Sequence, residues 1–356
     1  MGLIVLENSN ILIVGGAGFV GSNLVNMLLG TTKSTTITIV DNLLSAELSN
    51  VPRNSRVEFI NGSITDDKIL AGVKDEFDYV FHLATYHGNQ SSIKNPMADH
   101  ENNTLTTLKL YERIKNFTRL KKVVYSSAGC SVARKTHAKA VATTENDPID
   151  IRQDSPYSIS KIIGEFYSVY YQKQYNLPSV RARFQNVYGP REILGAGQWR
   201  GTPATVWRNV TPTFIYKALK GIPLPLENSG KDSRDFIYID DICTGLIGCA
   251  LKGEVGDVYN LASGKETSIL ALAEMINKLT GNKTGFTNLP RRSWDNSGKR
   301  FGSTVKSEKY LGFRADVCLE DGLEKTIAWT KNNLKLIDAT IAKHDDKMKN
   351  ENPRNL

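Results

Sequence analysis

Residues 11–21 read Ile11-Leu12-Ile13-Val14-Gly15-Gly16-Ala17-Gly18-Phe19-Val20-Gly21. Four apolar residues run straight into glycines at positions 15, 18 and 21, and helical spacing follows from Phe19 to Leu29. The apolar run reads as a buried parallel strand, because such strands are covered on both faces and lose their polar alternation. The glycines give a tight turn, let the backbone come close to a diphosphate, and allow the helix to pack closely on the strand. An anion held there would sit on the N-terminus of the helix. A second strand, Ile37-Thr38-Ile39-Val40, ends at Asp41, 20 residues beyond Gly21. A carboxylate at that point accepts hydrogen bonds from an adenosine ribose and repels a 2′-phosphate, which favours NAD over NADP.

The same texture continues outward. Arg56 to Ile60, Tyr79 to Leu83, Lys122 to Tyr125 and Val180 to Phe184 read as further strands. Asn102 to Lys115 and Ser155 to Gln174 read as long helices, the second with Pro156 early in it, where proline is tolerated. Alternating strand and helix predicts an α/β fold with a doubly wound parallel sheet, of Rossmann type. After Pro190 the composition shifts to Gly, Pro, Trp and Arg; Asp235 to Ile239 reads as strand, and Leu270 to Leu279 and Glu320 to Leu334 as amphipathic helices. The expected division is a dinucleotide-binding domain over 1–190 plus about 231–264, and a smaller C-terminal α/β substrate domain over about 191–230 plus 265–335. The polar tail 336–356 is expected to fray.

The chain has 356 residues, 45 Lys and Arg against 37 Asp and Glu, and a net charge of +8. The basic residues are scattered without a long run, which argues against a nucleic-acid stripe and leaves an RNA-binding protein a remote reading. Four cysteines (Cys130, Cys243, Cys249, Cys318) include no CxxC pair, so no metal site is expected and the thiols read as free. Met1 to Leu6 is apolar without a basic flank and is interrupted by Glu7, Asn8 and Asn10, unlike a signal peptide. No apolar run reaches the length of a membrane span, so the expected location is the cytoplasm.

Tyr157-Ser158-Ile159-Ser160-Lys161 puts a tyrosine and a lysine four residues apart, on one face of a helix. A tyrosine titrates at roughly 10, and a cation one turn away favours the phenolate and lowers that value. The phenolate can then serve as a general base toward a sugar hydroxyl. Ser126-Ser127 closes the fifth strand at its carboxyl end, where open α/β sheets bind ligands. The Ser127 hydroxyl is expected to hydrogen-bond the reacting oxygen and pass its proton to Tyr157.

Taken with Val40-Asp41-Asn42, Phe81-His82-Leu83-Ala84, Arg183-Phe184-Gln185-Asn186-Val187-Tyr188-Gly189-Pro190 and Arg234-Asp235-Phe236-Ile237-Tyr238-Ile239-Asp240-Asp241, these motifs run from Ile11 to about Trp329. The chain resembles the extended short-chain dehydrogenases/reductases of the nucleotide-sugar epimerase/dehydratase group, and within it the epimerases of bacterial lipopolysaccharide O-antigen clusters. The resemblance implies NAD as cofactor and a nucleotide-diphosphate sugar as substrate. Gly15, Gly18, Phe19 and Val20 would meet the NAD diphosphate, with Gly21 packing the helix. Asp41 and Asn42 would hold the adenosine ribose, and Ile64 would line the adenine pocket. Leu83, Ala84 and Thr85 would pass along the cofactor, with Asn103 supporting its nicotinamide end. Lys161 would bind the nicotinamide ribose, and Phe184 would pack against the nicotinamide. Asn186 and Arg234 would hold the substrate diphosphate, with Arg292 and Asp295 at its nucleotide end. The resemblance also implies a homodimer formed through the two long helices, and no membrane partner.

Three departures from the group's pattern bear on function. Gly62-Ser63-Ile64 has a serine where an aspartate usually reaches the adenine, so the Ser63 hydroxyl would replace that carboxylate. Ser127 is followed by Ala128-Gly129, whereas 4,6-dehydratases carry Asp-Glu there to expel water. That favours epimerisation, with C4 the expected carbon, over the alternative of a 4,6-dehydratase. A non-catalytic NAD sensor is more remote, since the Tyr157–Lys161 pair is kept. Finally, the segment from Arg191 to Asn209 is long, and its Arg200 and Arg208 are candidates for an acidic sugar such as a uronate, or for phosphate or solvent.

Overall fold

The computed structural model describes residues 6–129, 139–295 and 298–349. Seven parallel strands form its main sheet: β1 (Asn10–Val14), β2 (Thr36–Asp41), β3 (Val57–Asn61), β4 (Tyr79–His82), β5 (Lys122–Ala128), β6 (Ser179–Phe184) and β7 (Val258–Leu261). Their order across the sheet is β7-β6-β5-β4-β1-β2-β3. The order reverses between β1 and β4, and a crevice opens at such a switch point beyond the strand carboxyl ends. Residues Ile11 to Ile13 have no exposure, as expected for a strand covered on both faces.

Helix α1 (Phe19–Thr31) follows the glycines and buries Leu24, Val25 and Leu28 against the sheet. A wide turn at His100–Leu105 leads into α2 (Thr106–Ile114), which buries Leu110, Tyr111 and Ile114. Helix α3 (Pro156–Tyr175) starts where the Ser155 hydroxyl accepts from the Ser158 amide, and it ends at Asn176 in a left-handed conformation. Short strands lie beside the main sheet: Asn186–Tyr188 pairs with Phe236–Tyr238, and Leu224–Glu227 with Phe286–Leu289. Helices α4 (Val210–Leu219), α5 (Ile239–Lys252) and α6 (Ile269–Thr280) share one apolar cluster with α1 and the sheet.

The C-terminal region departs from the expectation of a frayed tail. After α7 (Leu319–Asn332) come α8 (Leu334–Ala342) and α9 (Asp345–Lys349). Ile337 and Ile341, one helical turn apart, pack on Ile193, Leu194, Ala196 and Val206. Each such burial contributes about 1.5–3 kcal/mol. The Thr340 hydroxyl donates to the Leu194 carbonyl at 2.8 Å, and His344 Nε2 meets the Gly195 carbonyl at 2.9 Å. The polar residues that suggested a tail form the outer face of a helix whose inner face is apolar. Among the described cysteines Cys243 and Cys249 are buried and Cys318 is exposed, all as free thiols. Cys130 lies outside the described residues.

Candidate active site

One cleft of about 420 Å³ opens over the carboxyl ends of β1, β2, β4 and β5. Its floor is the glycine loop. Gly15 has φ +88°, and a Cβ there would lie 2.5 Å from the Ala84 amide nitrogen. A methyl on Gly21 would collide with the Gly15 carbonyl. Gly18, at the N-cap of α1, has no side chain to accept from the first-turn amides. Those N–H groups are therefore left for an anion, and the helix dipole favours one. The cradle thus fits the diphosphate of a dinucleotide.

Asp41 lines the same cleft, and its carboxylate also holds the loop: Oδ2 accepts from the Ala17 amide at 3.0 Å and Oδ1 from the Leu43 amide at 2.9 Å. Burial raises its pKa, while these amides oppose the rise. Asn42 Oδ1 caps Leu44 at 3.1 Å. Ser63 and Ile64 line the far end, with the Ser63 hydroxyl 2.8 Å from that of Thr65. Leu83, Ala84 and Thr85 form the run past the end of β4, and Phe184 and Asn186 the run past β6. The Thr85 hydroxyl is buried and has no partner among the described residues.

Tyr157, Lys161 and Ser127 meet on one wall. Lys161 Nζ lies 5.9 Å from the Tyr157 ring centre and donates to the Ser126 carbonyl at 2.9 Å. Burial pushes the Lys161 ammonium down to about 8, against an upward pull from the Asp99 carboxylate. The His87 ring stacks on Tyr157 at 6.1 Å, and burial holds its imidazole at about 3, hence neutral.

Ser127 differs from the expectation in its partner. Its hydroxyl donates to Glu165 Oε1, so its one proton is committed to a carboxylate and not to Tyr157. Glu165 continues the Tyr157–Lys161 stripe by one more turn of α3. Arg183, level with Ser127 on the neighbouring strand, grips that carboxylate with two bonds of 2.8 Å. The i+8 spacing from Tyr157 was visible in the sequence; the pairing with Arg183 was not, because it depends on strand register.

Two further expectations need correction. Asn103 does not line the cleft. Its Oδ1 accepts from the Tyr86 amide and its Nδ2 donates to Asp99, both at 2.7 Å, so it shapes the β4 loop from behind. Arg200 is also set back: it is 3% exposed, and its Nη1 donates to the Leu44 carbonyl and the Ser45 hydroxyl. From the 191–209 segment, Arg191, Glu192, Ile193, Ala196, Ala204, Trp207, Arg208 and Asn209 reach the cleft. At the outer end, Arg234 donates to the Gly298 carbonyl at 2.7 Å and lies 3.8 Å from Asp295. Arg292 pairs with Glu227 and sits 5.7 Å from the Trp294 ring centre. No group of metal-ligating side chains and no helix long and apolar enough to cross a membrane occurs among the described residues.

Residues 11–262 match the NAD dependent epimerase/dehydratase family. A putative UDP-glucose 4-epimerase of Methanocaldococcus jannaschii is 29% identical over 91% of this chain and 99% of its own length. The enzyme WbmF of Bordetella bronchiseptica, solved in complex with NAD+, is 61% identical over 97% of this chain and 99% of its own, with a TM-score of 0.88. WbmF has also been solved with NAD+ and UDP. The UDP-glucose 4-epimerase of Thermotoga maritima, solved with UDP-glucose, is 28% identical over 91% of this chain and 99% of its own, with a TM-score of 0.82.

Proposed function

This chain belongs to the NAD-dependent epimerase/dehydratase family, and from that premise we propose that it inverts C4 of the sugar in a UDP-sugar, with NAD held in the cleft. The observation that carries this reading is the convergence of Tyr157, Lys161 and Ser127 over the glycine loop. Bound there, NAD supplies an acceptor and then a donor of hydride.

The chain's own groups bind, orient and move protons. Tyr157 Oη takes the proton of the sugar hydroxyl and later gives one back, and the Lys161 cation one turn away favours its phenolate. Ser127, its hydroxyl held by donating to Glu165, lines the wall beside the reacting hydroxyl and orients the sugar there. Gly15, Gly18, Phe19 and Val20 take the cofactor diphosphate, Asp41 and Asn42 the ribose, and Ser63 and Ile64 the adenine. Leu83, Ala84, Thr85 and Phe184 pack along the nicotinamide half. Asn186, Arg234, Arg292 and Asp295 hold the sugar nucleotide, with 191–230 and 265–335 as its side of the cleft. UDP is chosen because it occupies the solved structure of a relative 63% identical to this chain.

Epimerisation is favoured over water elimination by the residues after Ser127. Ala128 and Gly129 have no proton to transfer, and a Cβ at Gly129 would press on the Gln185 amide and lie 3.2 Å from the Phe184 carbonyl. Ile159, Phe166 and Tyr170 lie exposed on α3 at helical spacing, which supports a homodimer through that face. The reading assigns the product to bacterial surface polysaccharide, made in the cytoplasm.

The test is chromatography with mass detection after incubation with NAD and a panel of UDP-sugars, for wild type and Tyr157→Phe. The expected result is a new peak of unchanged mass with wild type, and a rate lower by about 10²–10⁴-fold with the variant, which still binds NAD. A product lighter by one water, or full activity without the phenol, refutes the reading.

A further inference from the structure

One part of the cleft wall is built from 191–209 and the loop after β2. Two guanidinium groups lie there, neither of them in an ion pair with a described carboxylate. Arg208 lines the cleft; its Nη1 donates to the Ser45 carbonyl and its Nη2 to the Ala196 carbonyl. Its Nε is closed off from solvent and has no partner among the described residues. Arg200 stands behind it, 3% exposed, with Nε and Nη2 both buried and without a partner among the described residues.

Among the described residues no carboxylate forms an ion pair with either, although Glu192 and Glu47 lie near enough to act on Arg208 through space. Glu47 is occupied by Lys343 and by the Gly197 amide. Glu192 accepts from Asn209, and burial lifts its carboxyl to about 7, so that near neutral pH it carries only part of a charge. The neighbouring His87 is neutral. Burial, with Arg208 alongside, lowers the Arg200 guanidinium to about 9. An enclosed cation without an anion is costly, and a half-satisfied cluster of this kind is completed when a ligand supplies the anion. Neutral main-chain carbonyls hold both arginines in place, and the guanidinium fork suits a planar or tetrahedral oxyanion.

We propose that Arg208, backed by Arg200, is an oxyanion subsite in the cleft wall, taking a phosphate or carboxylate oxygen of the bound cofactor or sugar nucleotide. The inference rests on the reading of the cleft as a site for both ligands. Two sources share this chemistry: a diphosphate, which the glycine loop of the same cleft would also hold, and a carboxylate on the sugar itself, since His87 stacks on Tyr157 and lies within electrostatic reach of both arginines.

The test compares wild type with Arg208→Gln and Arg200→Gln, and with Arg208→Lys as a variant that keeps the charge but not the fork. Melting is read without ligand. Affinities are then read by calorimetry for NAD+ and, on the NAD+-saturated protein, for UDP-glucuronate and UDP-glucose. The expected result is that the ligand-free Arg208→Gln chain melts no lower than wild type, because a poorly compensated charge is gone. Its affinity for the ligand that reaches the subsite falls about tenfold or more, as expected when a charged donor is removed. Loss confined to NAD+ identifies the cofactor diphosphate, equal loss for both UDP-sugars the substrate diphosphate, and loss for UDP-glucuronate alone a sugar carboxylate. Unchanged affinities for all three ligands in both glutamine variants overturn the proposal and make the arginines brackets for the 44–47 loop. A wild type that binds NAD+ but neither UDP-sugar contradicts the proposed function instead, and the NAD+ affinities then decide the subsite.

Discussion

Replacing Glu165 with glutamine removes one charge from a buried cluster and little volume. Glu165 is 1% exposed and Arg183 6%. The carboxylate accepts two bonds of 2.8 Å from Arg183, lies 3.6 Å from Arg181, and accepts the Ser127 hydroxyl. Breaking such a pair from one side leaves an uncompensated buried charge, at a cost of about 3–5 kcal/mol. With an unfolding entropy of about 2.1 cal/mol/K per residue over 356 residues, that corresponds to a drop in melting temperature of about 4–7 °C. Burial alone would raise the Glu165 pKa, but hydrogen bonds and charge from Arg183, with Ser127 and Arg181, hold it below the ordinary value. A depressed carboxyl contributes stability above its unfolded pKa and loses it as pH falls through the folded value. The gap between wild type and Glu165→Gln therefore narrows in acid. Scanning calorimetry at neutral pH and at about pH 4 measures both effects, and the Arg183→Met partner closes a double-mutant cycle in which the pair costs less than the two singles summed. A variant that melts with wild type at neutral pH, or a cycle that is strictly additive, refutes the assignment of this pair as the support beneath Ser127.

Two other outcomes follow from the same geometry. Lys161 is held down to about 8, so kcat/KM measured against pH falls on the alkaline side near that value, as the cation favouring the Tyr157 phenolate is lost. Stability moves the other way: the unfolded lysine keeps its proton up to about 10.5, so folding is favoured by rising pH between the two values. A rate that is flat through pH 10 contradicts the role. Ile341→Asp puts a charge into the cluster of Ile193, Leu194 and Val206 and costs about 3 kcal/mol or more. Limited proteolysis should then cut within 191–209 while the main sheet stays protected, and an unchanged cleavage pattern would show that α8 does not support the cleft wall.

The sheet and its crevice were legible because their signals are local: Ile11–Val14 running into Gly15, Asp41 closing β2, and Ser127 closing β5. The stripe Tyr157–Lys161 was equally plain, since four-residue spacing on a helix needs no tertiary information. What depended on register was not readable. Glu165 meets Arg183 and Ser127 only because β5 and β6 align Ser127 with Arg183. Asn103 carries the residue type of a ligand contact but is turned toward Tyr86 and Asp99 by the wide turn at His100–Leu105. Composition hides the order of the tail: Ile337 and Ile341, with Leu336 beside them, form an inner stripe, but its partner, Ile193 to Ala196, lies some 140 residues away in sequence and has no pattern of its own.

The central claim is that Tyr157 and bound NAD invert a sugar carbon by moving a hydride off it and back. The most direct measurement uses a UDP-sugar accepted by the chain, deuterated at C4, with the product followed by mass and by proton NMR. The account predicts an epimer of unchanged mass that keeps its deuterium at C4. A product that has lost one water, or an epimer whose label has exchanged into solvent, contradicts it.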